Sequence, residues 1–96
     1  MRTPLVLADK RAAILELAAR HGAFGVRVFG SAARGEAGPD SDLDLLVTMA
    51  PHRTLLDLVA LGQDLEALLG RRVDVVSDGG LSPHLRDRIV AEATPL

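Results

Sequence analysis

The stretch of sequence that decides the fold lies at residues 30–45 and reads GSAARGEAGPDSDLDL. Its first part is rich in glycine, serine, proline and aspartate, which predicts a loop, and residues 32–34 leave room for about one helical turn. In its second part Asp42 and Asp44 alternate with leucines, the period-two pattern of a strand whose two faces differ in chemistry. The stretch therefore predicts a loop that leads into a strand with two carboxylates on one face.

Apolar spacing on both sides of this stretch predicts further helices and strands. Leu58, Leu61, Leu65 and Leu68 recur at helical spacing, and Gly70 follows them as a helix-ending residue. The predicted elements are, in chain order, a helix over 8–20 ended by Gly22, a strand over 24–29, the loop, a strand over 42–47, a helix over 54–69 with a Thr54–Asp57 capping box, a strand over 72–76, and a final helix that starts at Ser82-Pro83.

This alternation predicts an α+β fold in the order α-β-(short α)-β-α-β-α. Three strands are too few for a barrel, and the helices are enough to cover one face of a small sheet. At 96 residues the chain has room for one hydrophobic core, so residues 1–96 are expected to form a single domain. Leu55, Leu56, Val59 and Leu69 lie off the main stripe of the long helix and predict a second face that binds a partner.

Composition argues against several classes of protein. A net charge of −2 gives no general attraction to nucleic acid or anionic membranes, and two phenylalanines without tryptophan or tyrosine offer little surface for stacking bases. Charged residues interrupt the first 20 positions, which argues against a signal peptide or membrane span. The absence of cysteine fits a reducing compartment. We therefore expect a cytoplasmic protein that binds neither membranes nor nucleic acid directly.

Asp42, Asp44 and Asp74 are the candidate metal ligands. Side chains two apart on a strand point the same way, so the first two carboxylates lie side by side and suit Mg²⁺, which prefers oxygen ligands. The alternative is a solvated acid pair. Asp74 lies between two valines of the next strand, where an unpaired buried carboxylate would be costly. It either lies at an exposed sheet edge or faces the same metal centre, and we favour the metal centre.

Gly30 and Ser31 are the candidate phosphate-binding residues. They directly follow a predicted strand, where glycine lets a phosphate approach the backbone and serine offers a hydroxyl and an amide at a helix start. Ser31 is otherwise a simple helix cap. Arg34 is either a phosphate contact or an ion-pair partner that holds the loop in shape. The arginines at 71, 72, 86 and 88, with His84, are the remaining candidates for an RNA contact, although a solvated helix face is the commoner use of such residues.

Taken together, residues 30–45 resemble the signature of the DNA polymerase β-like nucleotidyltransferase superfamily. The resemblance is carried by the Gly-Ser element, Ala33-Arg34-Gly35, Ser41-Asp42-Leu43-Asp44 and the later strand residue Asp74. The short chain looks like the minimal nucleotidyltransferases, which are often encoded beside a helical HEPN-domain protein. The resemblance covers the whole chain in element order, while its specific motifs occupy only residues 30–45 and 74.

This resemblance implies a nucleotidyltransferase fold with a small mixed three-stranded sheet flanked by helices. It implies two Mg²⁺ held by Asp42, Asp44 and Asp74, and a triphosphate held by Gly30 and Ser31, with ATP as donor. Asp74 would help to activate an acceptor hydroxyl. The implied protein is an antitoxin that adenylylates its HEPN-domain RNase partner on a tyrosine. The alternatives are a non-catalytic module that neutralises the same partner by binding it, and a nucleotidyltransferase that acts on a small molecule.

Overall fold

The structure, a computed structural model, describes residues 9–36 and 41–96. Over these ranges the chain forms three helices and a four-stranded mixed sheet. Ala8 and residues 37–40, which belong to the predicted first helix and loop, lie outside the described residues. The elements are α1 (Arg11–Arg20), β1 (Ala23–Phe29), β2 (Leu43–Met49), α2 (Leu55–Leu69), β3 (Val73–Ser77), α3 (Pro83–Glu92) and β4 (Thr94–Pro95).

The helices end where the sequence places their terminating residues. Gly22, after α1, and Gly70, after α2, adopt left-handed backbone with φ of 77° and 66°, which glycine reaches without steric cost. The α2 helix begins with the predicted contact, because the Thr54 backbone N–H donates to the Asp57 carboxylate at 2.9 Å. In α3, Ser82 is the N-cap and Pro83 the first helical residue. The turn chemistry of the sequence therefore fixed these boundaries.

The strands lie in the order β3-β2-β1-β4. β2 pairs parallel with β3, and β1 pairs antiparallel with both β2 and β4. A bulge interrupts the β1–β2 pairing between Phe24 and Arg27, where Gly25 has a φ of 59°. The parallel pair requires the long crossover that α2 provides.

The core lies between one face of the sheet and the helices α1 and α2. Its fully buried side chains include Ile14 from α1, Leu61 and Leu65 from α2, and Leu45 and Val28 from the sheet. These are the stripe positions that the helical spacing predicted. Leu69, which the sequence assigned to a partner-binding face of α2, instead packs against this core.

Two sequence expectations about the end of the chain are wrong. The sheet has a fourth strand, Thr94–Pro95, so the chain does not end in helix and the sheet is not three-stranded. Two residues are too few for a period-two pattern, and proline is tolerated there because β4 is an edge strand. The α3 helix buries none of its side chains. Among the described residues, no helix is long and apolar enough to cross a lipid bilayer.

Candidate active site

The two acids of the Asp42–Asp44 pair lie where the chain enters β2. Asp42 immediately precedes the strand and is exposed, whereas Asp44 is its second residue and is half-buried. The strand alternates, so both acids belong to the face opposite Leu43 and Leu45, which are fully buried. The predicted difference between the two faces of this strand is therefore confirmed at its start.

Asp74 projects from the same face of the sheet as Asp44. β2 and β3 run parallel with Asp44 and Asp74 as register partners, and partners on adjacent strands share a face. β3 is also an edge strand, and Asp74 is exposed. The structure shows that Asp74 lies at an exposed edge and also beside the acid pair, and its role as a metal ligand stays a prediction.

Several negatively charged side chains lie near Asp44. Burial raises the pKa of the Asp44 carboxyl, and the charges of Asp74, Asp42 and Glu92 raise it further, while Arg34 lowers it. Like charges gathered in this way disfavour ionisation unless a cation compensates them. The surroundings of Asp44 therefore favour a bound cation electrostatically.

Gly30 brings the loop directly against Asp44. The last residue of β1, Phe29, is the register partner of Asp44, so the chain leaves the sheet beside this carboxylate. Gly30 has a φ of 71°, and a Cβ atom at this position would collide with the Oδ2 atom of Asp44. Glycine is thus required here for two reasons. The backbone is left-handed, and Asp44 occupies the space that a side chain would need.

The residues after Gly30 form a hydrogen-bonded turn in place of the short helix that the sequence predicted. The Arg34 N–H donates to the Gly30 carbonyl at 3.2 Å, and the Glu36 N–H donates to the Ser31 carbonyl at 2.9 Å. Ala32 is buried and anchors the turn in the core. The first N–H groups of such a turn find no partner within it. Ser31 lies at this start, where an anion can be bound.

Arg34 is an ion-pair residue in this structure. Its Nε pairs with Glu36 Oε1 at 2.5 Å, and its Nη1 pairs with Glu92 Oε1. These ion pairs fit the role in which Arg34 holds the loop in shape, and its contact with a phosphate stays a prediction. Glu92 belongs to α3, 58 residues away in the chain. No spacing pattern could have predicted that this acid lies near Asp44.

Arg71 holds the chain just before Asp42. Its Nε donates to the Ser41 carbonyl oxygen at 3.0 Å, and its Nη2 donates to the same oxygen. Arg71 is half-buried in this contact, so it is neither a solvated residue nor a free RNA contact. Together with the bond from the Leu43 N–H to the Arg72 carbonyl, it ties the start of β3 to the start of β2.

The three acids fit a magnesium site that a nucleotide completes. Within residues 9–36 and 41–96, no three acid, histidine or cysteine side chains are arranged to hold a metal ion as they stand. Mg²⁺ commonly takes only one or two carboxylates and obtains its other ligands from water and substrate phosphates. Three carboxylates on one face, beside a turn that opens to anions, supply this chemistry.

A mixed sheet that carries acids on one face, next to a Gly-Ser turn, is consistent with a nucleotidyltransferase, and the family match establishes the class. Residues 11–96 match the family described as nucleotidyltransferase domain. The chain therefore belongs to the nucleotidyltransferase domain family and is an enzyme of that class.

Similar proteins support the same assignment. The chain is 43% identical over 77 residues to the protein adenylyltransferase MntA of Thermococcus cleftensis, which covers 80% of this chain and 78% of that protein. It is 42% identical over 80 residues to a protein of Methanocaldococcus jannaschii provisionally named a protein adenylyltransferase, covering 83% and 86% of the two chains. The predicted resemblance to minimal nucleotidyltransferases is confirmed.

Solved structures share the fold. A structure provisionally described as a minimal nucleotidyltransferase is 57% identical, covers 99% of this chain and 97% of its own, and superposes with a TM-score of 0.86. A more distant one is the MNT antitoxin complex with a tri-AMPylated HEPN toxin of Shewanella oneidensis. It is 22% identical with a TM-score of 0.68, covers 88% of this chain and 66% of that chain, and so establishes likeness of fold alone.

Proposed function

We propose that this protein is an antitoxin that transfers AMP from ATP to a tyrosine hydroxyl of a HEPN-domain toxin, with magnesium as cofactor. The observation that carries the proposal is the placement of half-buried Asp44 between Asp42 and Asp74, directly beside Gly30. Two relatives that cover most of the chain have names that describe protein adenylyltransferases. The structurally similar antitoxin complex contains an AMPylated HEPN toxin.

In this proposal Asp42, Asp44 and Asp74 hold two Mg²⁺ ions. When bound, these ions supply positive charge that stabilises the attacking and leaving oxygens of a phosphoryl transfer. Gly30 and Ser31 bind the triphosphate through backbone N–H groups and the serine hydroxyl. The two ion pairs of Arg34 favour a role in positioning this turn.

The proposed reaction forms one phosphorus–oxygen bond and breaks another. The acceptor hydroxyl oxygen bonds to the α-phosphorus of ATP, and the bond from that phosphorus to the oxygen bridging to the β-phosphate breaks. Pyrophosphate leaves, and the acceptor becomes an AMP ester. Asp74, the most accessible strand acid, accepts the hydroxyl proton on a carboxylate oxygen.

The test is AMP transfer measured by intact mass. The purified protein is mixed with its cognate HEPN-domain protein, ATP and MgCl₂, and the HEPN protein is expected to gain the mass of one or more AMP groups. Asp42→Asn combined with Asp44→Asn is expected to abolish the gain. Glu16→Gln, which removes an exposed acid of α1, is the control for loss of negative charge away from the site and should transfer AMP like the wild type.

Other outcomes select the alternatives. If the wild type binds the HEPN protein but adds no AMP, the chain acts as a binding module and the proposed reaction is wrong. If it neither binds nor modifies that protein but releases pyrophosphate with a small hydroxyl compound, the acceptor is a small molecule.

A further inference from the structure

We propose that a groove between α2 and the edge strand β3 binds the segment of the partner protein that carries the acceptor hydroxyl. This inference rests on the proposed function, because it identifies where the acceptor of that reaction docks. The groove has a volume of about 260 Å³. Its walls include Leu55, Val59, Gly62 and Glu66 from α2, and Asp74 and Val75 from β3.

The groove connects the proposed catalytic acid to an exposed apolar surface. Asp74 is one of the β3 residues that line the groove. Its side chain projects from the sheet face opposite α2, so an occupant that extends past the edge of β3 would reach the residue that we expect to accept the hydroxyl proton. At the helix start, Leu55 and Val59 are 71% and 49% exposed. An acceptor held here could bury apolar surface against α2 while presenting a hydroxyl beside Asp74.

Gly62 keeps the groove open at a cost to the helix. It is the central residue of α2, where glycine is less favourable than any residue except proline. Packing within the described part of the chain does not require it, because a Cβ at this position would there approach only Val75 Cγ2 and the Val73 carbonyl, at 3.8 and 3.9 Å. These are ordinary contact distances. What the missing side chain leaves is space in the groove, and a bound segment would use that space.

Charge favours a polypeptide occupant over the nucleotide. The charged residues known to line the groove are Glu66 and Asp74, both acids. A triphosphate would be repelled there, whereas a basic segment would be attracted and a neutral apolar segment would not be repelled. The nucleotide and the acceptor would therefore occupy different sides of Asp74.

The edge of β3 is suited to an extended segment. β3 has one neighbour in the sheet, and the Val73 N–H, which points away from β2, donates to Glu66 Oε2 at 3.0 Å. Backbone groups alternate along a strand, so those of Val75 also point away from β2, into the groove side. Extended segments commonly bind by adding to such an edge.

The experiment fills the groove without disturbing the acids. Gly62→Leu should weaken binding of the cognate HEPN-domain protein about tenfold or more, measured by calorimetry, and raise the KM for that protein in AMP transfer similarly. ATP affinity and the melting temperature should not fall, because leucine is a better helix former than glycine. Ala67→Leu adds the same bulk to an exposed position of α2 that is outside the groove lining, and should match the wild type.

Gly62→Ala provides the second variant, since its Cβ makes only ordinary contacts. It is expected to fold at least as stably as the wild type and to weaken binding to a smaller extent.

If both variants bind and modify the partner like the wild type, the groove is not the acceptor site, although the proposed function stands. If the wild type binds the partner without modifying it, the reaction is wrong, and the binding comparison still decides the groove. Failure of the wild type to bind the partner would overturn the groove proposal.

Discussion

Gly30 lets the proposed phosphate-binding turn lie directly against Asp44 because it has no side chain. Gly30→Ala should introduce a Cβ that displaces the Asp44 carboxylate, in addition to straining a left-handed backbone. We expect AMP transfer to fall by about two orders of magnitude or more, as for misplaced catalytic groups, with a loss of stability on the order of 1 kcal/mol.

A variant at Gly35 separates the displacement of the Asp44 carboxylate from the strain of a left-handed backbone. Its φ of 74° is nearly that of Gly30, but among the described residues beyond its chain neighbours no atom lies within 4 Å of a Cβ built on it. Gly35→Ala should therefore show a similar drop in melting temperature while most of the activity is kept. Equal losses of activity in both variants would mean that backbone strain, and not the contact with Asp44, explains the requirement for glycine.

At the scale of single residues, the sequence predicted the positions of the acids better than the contacts around them. Asp42 and Asp44 were predictable because alternation along a strand is a local property. The register that places Asp74 opposite Asp44 depends on how α2 returns the chain, which is not local. The contacts of Arg71 with Ser41 and of Glu92 with Arg34 join distant positions, and their residue types carry no pattern.

Among the elements, a small polar network ties β1 and β2 to the turn that follows β3. Thr48 Oγ1 donates to Asp78 Oδ2 at 2.7 Å, and Arg27 Nη2 donates to the same oxygen at 3.3 Å. These hydrogen bonds, the one from Thr48 first, hold the pKa of Asp78 below its ordinary value of 3.8. The ionised form of Asp78 thus stabilises the folded state.

This network predicts a pH-dependent contribution to stability. Because the pKa is lower in the folded state, the contribution is fully present above the ordinary pKa and is lost as the pH falls through the folded pKa. Asp78→Asn should cost about 1 to 3 kcal/mol at neutral pH, and the difference from the wild type should shrink below a pH of about 4. Urea unfolding at several pH values measures this.

Asp87→Asn, which changes an exposed acid of α3, is the control for the pH series and should follow the wild type throughout. A gap between the wild type and Asp78→Asn that stays constant from neutral pH to about pH 2 would contradict the role of ionisation.

The exposed and the buried leucines of α2 should respond differently to truncation. Leu55 and Leu56 are 71% and 79% exposed, so their change to Ala should alter the free energy of unfolding by about 0.5 kcal/mol or less. Leu61 is fully buried, and Leu61→Ala should cost about 2 to 5 kcal/mol. Chemical unfolding curves would show this contrast, and a large loss in Leu55→Ala would mean that the helix start is core.

Elements with strong local signals were predicted, and elements held by distant contacts were not. The long helix and the three longer strands follow from periodicity, capping and turn residues. The strand Thr94–Pro95 forms only because β1 presents an edge to it. Leu46 shares its face with Asp44 and yet is fully buried. Strand alternation alone does not predict this burial, and residues 78–80, which follow β3, also contact β2.

At the scale of the whole molecule, binding of nucleotide and metal should increase the thermal stability of the protein. The charges around Asp44 repel one another, so Mg²⁺ with a non-hydrolysable ATP analogue should raise the melting temperature of the folded chain. At about 100 times the dissociation constant the gain is roughly 2.7 kcal/mol, which corresponds to an increase on the order of 10 °C for a domain of this size.

Removal of the metal provides the comparison. EDTA should reverse the increase, and Asp44→Asn should show little increase while melting no lower than the wild type without ligand, because one of the mutually repelling charges is gone. An undiminished increase in Asp44→Asn would show that the nucleotide binds without this acid. Differential scanning fluorimetry is sufficient for both measurements.

The parallel pairing of Asp44 with Asp74 also determines when the enzyme becomes competent during its synthesis. The two acids belong to strands that the whole of α2 separates in the chain, so no nascent segment that stops before β3 can assemble the site. With the metals held as proposed, loop closure over this distance must be complete before metal and nucleotide bind together. Nucleotide binding would then report the formation of the central long-range contact of the fold, and a fluorescent ATP analogue would serve as a probe of folding on the ribosome.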